Sequence, residues 1–151
     1  MNYTIKPIGI VNNSVNKPVD TNWGEVESEI NIYPEFRDGL KGLEEFSHIQ
    51  ILFFMHKASF HKEEDLIRHP RGRKDLPLLG IFAQRAKHRP NPIGITIVHL
   101  IKVKQDSIFV KGLDAIDKTP VIDIKPYIPI FDQKEKVIVP DWIKEIMSNY
   151  F

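Results

Sequence analysis

The chain has 151 residues, 42% hydrophobic and 27% charged, with 21 Lys and Arg against 20 Asp and Glu for a net charge of +1, and it has no cysteine. Such a composition fits a single-cored globular protein and leaves no room for low-complexity or fibrous structure. Lack of cysteine excludes disulfides and thiolate-held zinc or iron–sulfur centres and agrees with a reducing cytosolic home, while the net charge by itself predicts no affinity for nucleic acid.

In chain order, "YTIKPIGIV" (3–11) and "EVESEINIY" (25–33) read as strands, the second with Val26, Ile30 and Ile32 on one face. "PEFRDGLKGLEEF" reads as turn and short helix, and its Gly39 and Gly42 form a GxxG without the flanks of an RNA-clamping KH domain. "HIQILFFMHK" (48–57) is the most apolar strand and is expected to be central. Its apolar run falls far short of the ~20 residues of a membrane span, and no signal-peptide pattern opens the chain, so a cytoplasmic protein is expected.

Residues 58–77 are polar and basic and are broken by Pro70, Gly72 and Pro77, the pattern of a long excursion. "LPLLGIF" then returns to strand character, followed by strands in "PIGITIVHLIKVK", "SIFVKGL" and "TPVIDIKPYIPI". Ile143, Ile146, Met147 and Tyr150 recur at helical spacing after Asp141, which predicts a short amphipathic helix near the end. Uneven strands without room for crossover helices predict a mainly β fold, a mostly antiparallel single-sheet barrel with short helices.

Dinucleotide, P-loop, zincin and nucleophile-elbow motifs are missing, and the histidines form no compact ligand pattern, so no metal is expected. Charge is unevenly spread. Between Arg68 and Arg89 lie seven Lys or Arg and one acid, a window of +6 against −5 for the remainder, which points to an anionic partner. Within it, Pro90 and Pro92 stiffen "RPNP", and Gly94 permits unusual backbone angles or close approach of a ligand. Arg85, Lys87 and Arg89 alternate, so in an extended segment they share a face suited to carboxylate, phosphate or a base plane. The same residues also suit a surface turn whose arginines pair with nearby acids. A second stretch, "LDAIDKTPVIDIKPYIP" (113–129), sets Asp114, Asp117 and Asp123 among apolar residues. A carboxylate within such strand formers is paired, caps a turn, or is held for chemistry.

Together "GLKGLEEFSHIQILFFMHK", "GIFAQRAKHRPNPIGIT" and "DAIDKTPVIDIKPYIP" resemble the TsaA-like family of TrmO-type tRNA adenine N6-methyltransferases, in order from about Ile8 to Phe131. The resemblance implies a dimeric β-barrel that binds S-adenosylmethionine near the subunit interface without a Rossmann fold. It implies methyl transfer to N6 of N6-threonylcarbamoyladenosine at tRNA position 37. Matched positions imply cofactor contacts from His56, Lys57, Arg85, Ile95 and the run Asp114, Ala115, Ile116, Asp117 and Lys118. Where relatives carry a "PRQ" loop this chain has "KPVDTNWGE", and Asn22 and Trp23 are expected to serve instead.

Two further departures are "AQRAKHRPNPIG" for the commoner "ATRSPHRPNPIG", and "DKTP" for "DGTP". The chain reads as one domain over 1–151, without the extra C-terminal domain of many bacterial members. For the chemistry, Asp123 is the candidate proton acceptor or base orienter, with Tyr127 to stack and Lys125 to hold an anion. Arg89 and Asn91 are candidates for the modified nucleotide, and Arg68, Arg71, Arg73 and Lys74 for phosphates of the anticodon arm. Alternatives are a non-catalytic S-adenosylmethionine or RNA-binding module, or a methyltransferase acting on another nucleotide or a small molecule.

Overall fold

A computed structural model describes residues 1–151. Six antiparallel strands close into a barrel in the order β1 (Gly9–Asn12), β2 (Glu27–Ile32), β7 (Ser107–Lys111), β6 (Ile93–Val103), β3 (His48–Phe54) and β8 (Pro120–Pro126). Two-residue strands β4 (Ile67–Arg68) and β5 (Leu79–Gly80) pair outside it. Short helices α1 (Lys62–Asp65), α2 (Pro129–Asp132) and α3 (Asp141–Met147) decorate the surface. No helix is long and apolar enough to cross a membrane.

Period-two alternation sets the inside. Ser28, Ile30 and Ile32 of β2 point inward, as do Ile49, Ile51 and Phe53 of β3 and Thr96, Val98 and Leu100 of β6. With Val11, Ile108, Val110, Leu113, Ala115 and Val121 they fill one core. Closure leaves the barrel without a free edge. Two bulges bend it: β8 passes over Ile122 opposite Leu52 and Phe53, and β6 passes over Ile101 opposite Val110 and Phe109.

The strand expected over 3–11 is confined to Gly9–Asn12, and Val26 lies in the turn before β2. "LPLLGIF" stays outside the barrel, because its Leu79 and Gly80 pair with Arg68 and Ile67 of the excursion itself. The amphipathic helix forms as expected over Asp141–Met147, with Ile146 buried.

Candidate active site

Antiparallel closure brings the ends of β1, β3 and β7 and the starts of β2, β6 and β8 to one rim. There Asn13 acts as a hub. Its side-chain amide donates to Ser28 Oγ at 2.9 Å and to the Ala115 carbonyl at 2.8 Å, while its main-chain N–H donates to Asp117 Oδ1 at 3.1 Å. The Asp117 N–H returns to the Val15 carbonyl at 2.7 Å, and Lys57 Nζ reaches the Asn16 carbonyl at 3.1 Å. Loops 12–16 and 114–118 are thus one unit. Ala115 and Ile116 are buried, so what they offer a ligand is main chain. Lys118 sits at φ +64°, a backbone conformation that glycine adopts without steric cost. Its ammonium bonds the Asn12 side-chain oxygen and lies 3.7 Å from Asp117.

Beside this unit stands Asp114. The Thr96 hydroxyl donates to its Oδ1, and the Tyr150 hydroxyl donates to Oδ2 at 2.6 Å. Burial, then the Asp114 charge, holds the Tyr150 phenol well above its ordinary range, so it stays a donor. Arg85 Nη2 donates to the Ile95 carbonyl at 2.9 Å and bears electrostatically on the same phenol. Trp23 is buried and its indole donates to the Val19 carbonyl at 3.0 Å; Asn22, at φ +62°, is exposed. His56 closes the group with a buried Nδ1 that has no partner in the protein. Burial, and secondarily Lys57, pushes its ring below the ordinary value.

The stiff loop is tied down from within. Arg89 Nη1 donates to the Gln84 carbonyl at 3.1 Å, His88 Nδ1 lies 2.7 Å from the Ser59 carbonyl oxygen, and the Pro92 carbonyl accepts from Met55 at 2.8 Å. Asn91 is exposed and lines a hollow of about 340 Å³ with Tyr3, Phe54 and Pro92. Of the excursion's cations, Arg68 pairs with the buried Asp65 at 3.0 Å, and Arg73 with Asp75 and Glu145 at 2.5 Å each. Arg71 touches the Asp20 carbonyl at 3.3 Å, and Lys74 is exposed and forms no ion pair, its neighbour Asp75 being paired with Arg73.

Asp123, Lys125 and Tyr127 are not brought to this rim within one chain. Asp123 stands mid-strand in β8, level with Leu52 and Ile95, and its Oδ2 pairs with Lys125 at 2.8 Å; farther along, Tyr127 stands edge-on to His48. Asp123 also borders a hollow of about 430 Å³ lined by Phe36, Leu40, Leu43 and Pro126. No group of three or more His, Asp or Glu side chains is arranged to hold a metal ion.

Sequence reasoning missed Asn13, Thr96 and Tyr150. Nothing local marks them, since Asn13 meets Asp117 across 104 residues of sequence and Tyr150 meets Asp114 across 36. Lys118 alone carried a signal, as a residue in a glycine's place.

The family model described as tRNA-methyltransferase O N-terminal domain matches residues 12–133. A probable S-adenosyl-L-methionine-binding protein of Pyrococcus abyssi is 37% identical over 145 residues, covering 93% of this chain and 76% of that one. A probable S-adenosyl-L-methionine-binding protein of Methanothermobacter thermautotrophicus is 41% identical over 132 residues, covering 84% and 91%. Mouse tRNA (adenine(37)-N6)-methyltransferase is 42% identical over 111 residues, 72% of this chain but 25% of that protein. The crystal structure of TrmO from P. aeruginosa superposes with a TM-score of 0.76 at 29% identity over 94% of this chain, which spans 62% of that structure's length.

Proposed function

The chain belongs to the family of the tRNA-methyltransferase O N-terminal domain, and from that premise we propose that it methylates N6 of N6-threonylcarbamoyladenosine at position 37 of tRNA, using S-adenosylmethionine. The observation that carries the proposal is the convergence, at one rim, of carboxylates, cations and a partnerless buried imidazole nitrogen around loops 12–16 and 114–118.

That donor set fits the cofactor. A buried polar atom without a partner is costly, and a ligand atom at His56 Nδ1 removes the cost. Asp114 and Asp117 suit an ammonium, a sulfonium or ribose hydroxyls, while Arg85 and Lys57 suit a carboxylate. S-adenosylmethionine supplies a methyl group already activated on sulfur, so alignment and exclusion of water are the tasks left to the protein. Asp114 is held on both oxygens and Arg85 by the Ile95 carbonyl, and each orients what it binds. Asn91 offers an amide to a base edge and Arg89 a guanidinium to the threonyl carboxylate or a phosphate. Arg71 and Lys74 add positive charge for the anticodon arm.

A homodimer is part of the proposal. Ile93, Ile95, Ile97 and Ile101 of β6 stand 39–47% exposed on the outer face of the sheet, beside Leu52 and Phe54 of β3. The pairing register aligns Ile95, Leu52 and Asp123 in one row, and Ile97, Gln50 and Lys125 in the next. A second copy seated on this face encloses Asp123 and Lys125. In that enclosed setting Asp123 is the proposed acceptor of the proton leaving the exocyclic nitrogen, with Lys125 and Tyr127 beside it.

The test is mass spectrometry of nucleosides from tRNA with and without the threonylcarbamoyl group, incubated with the protein and saturating S-adenosylmethionine. Methyl appearing only in threonylcarbamoylated tRNA is expected. Methyl in unmodified tRNA would move the substrate to another nucleotide, and no transfer at all would remove the enzymatic assignment.

A further inference from the structure

Residues 141–151 lie beyond the stretch matched by the family model, yet they reach into the candidate site. Helix α3 is fixed by the buried Ile146 and by Glu145, which pairs with Arg73 of the excursion at 2.5 Å. The chain then runs alongside the loop around Asn22 and Trp23: the Asn22 N–H donates to the Asn149 carbonyl at 2.9 Å and the Trp23 N–H to the Tyr150 carbonyl at 2.8 Å. Approach is so near at the next residue that a Cβ on Gly24 would stand 2.8 Å from the main-chain carbon of Phe151. From this anchored backbone Tyr150 turns its hydroxyl onto Asp114.

We infer that residues 141–150 form a strap closing the cofactor-side rim, and that Tyr150 is a positioning residue that fixes the Asp114 carboxylate. This rests on reading the rim as the S-adenosylmethionine site. The chemistry is that of a carboxylate with one donor on each oxygen, Thr96 on Oδ1 and Tyr150 on Oδ2. Two donors fix the plane of the group, and because each oxygen has two acceptor sites, each keeps one lone pair for a ligand. Thr96 is part of β6 and cannot withdraw alone, whereas Tyr150 is carried by a strap held through main-chain bonds and a surface ion pair. Asp114 is therefore oriented only while the strap is closed.

The experiment uses the full chain and Tyr150→Phe, which keeps the ring and removes the hydroxyl. S-adenosylmethionine affinity is read by calorimetry, and backbone hydrogen exchange at Asn22 and Trp23 is read without ligand. Loss of about tenfold in affinity is expected for one charge-assisted hydrogen bond, together with faster exchange at those two amides and unchanged exchange at Ile49 and Ile51. Because Tyr150 acts through Asp114, the same change in an Asp114→Asn background should weaken binding little further. Additive losses, or unaltered affinity in Tyr150→Phe, would overturn the positioning role. Unaltered exchange at Asn22 and Trp23 would overturn the strap. If the unaltered chain binds no S-adenosylmethionine, the reading of the rim fails and the positioning role with it, a result distinct from binding that Tyr150→Phe leaves untouched.

Discussion

The tip of the Phe53 ring fills the space that a side chain at residue 94 would need: a Cβ on Gly94 would lie 2.3 Å from Phe53 Cζ and 2.4 Å from Cε2. The two residues are cross-strand partners on β3 and β6, and Phe53 is buried in the barrel core. The lack of a side chain at Gly94 therefore makes room for the Phe53 ring. A buried ring cannot swing aside, so Gly94→Ala is expected to destabilise the barrel by about 1–3 kcal/mol through overpacking. Urea unfolding should show a lower midpoint with an unchanged slope; a midpoint equal to that of the parent would mean that the ring relocates freely.

Gln84 settles the meaning of one departure from the family pattern. It is buried, and its Nε2 donates to the carbonyls of Arg68 at 2.8 Å and Leu79 at 2.9 Å, one on each strand of the small β4–β5 pair. The residue acts inward as the staple of the basic excursion, while Lys87 points to solvent. Gln84→Leu removes both bonds and should cost about 1–3 kcal/mol locally. Limited trypsin digestion at Arg71, Arg73 and Lys74 should then quicken several-fold while the barrel stays intact. Digestion at the parental rate would show that the excursion is held without the staple.

The barrel was legible because alternation is a local property. Ser28, Ile30 and Ile32, or Thr96, Val98 and Leu100, announce an inward face within a few residues. Strand order was not legible, since nothing in "LPLLGIF" distinguishes pairing with β4 from pairing with the barrel. The rim residues proposed for the cofactor could be matched one by one through the family pattern, but the contacts that hold them were hidden by distance in sequence. Asp123 shows the opposite case. Its place among strand formers marked it as unusual, but its position level with Ile95 and two strands round the barrel from it is something only the register reveals.

Acid should loosen the site through His56. Its ring is held below the ordinary 6.5, first by burial and then by Lys57, so the unfolded chain takes up this proton at higher pH than the folded one. The associated stability is fully present above 6.5, falls as pH drops from there through the lower folded value, and falls no further below it. A protonated ring next to Lys57 also opposes a sulfonium, so S-adenosylmethionine affinity should decline over the same window. Unfolding midpoints and calorimetric affinities from about pH 8 to about pH 5 should show a component that His56→Gln abolishes. An identical acid loss in His56→Gln would place its origin elsewhere.

Salt dependence of tRNA binding should divide the four cations of the excursion into two kinds. Arg71 and Lys74 are exposed and form no ion pair, so each is available to a phosphate. Neutralising both is expected to reduce the slope of log affinity against log salt by about 2, roughly one for each contact. Arg68 is instead committed to Asp65, whose carboxylate also accepts the His61 N–H at 2.8 Å, and its loss would leave a mostly buried charge with a single donor. Arg68→Gln should therefore destabilise the excursion, by about 1–3 kcal/mol, with little change in slope. Arg73, partly exposed and shared between Asp75 and Glu145, already has its charge answered within the chain, and Arg73→Gln should leave the slope close to the parental value. Filter-binding titrations across a salt series separate the two classes, and equal slope losses at all four positions would show that the ion pairs open when tRNA binds.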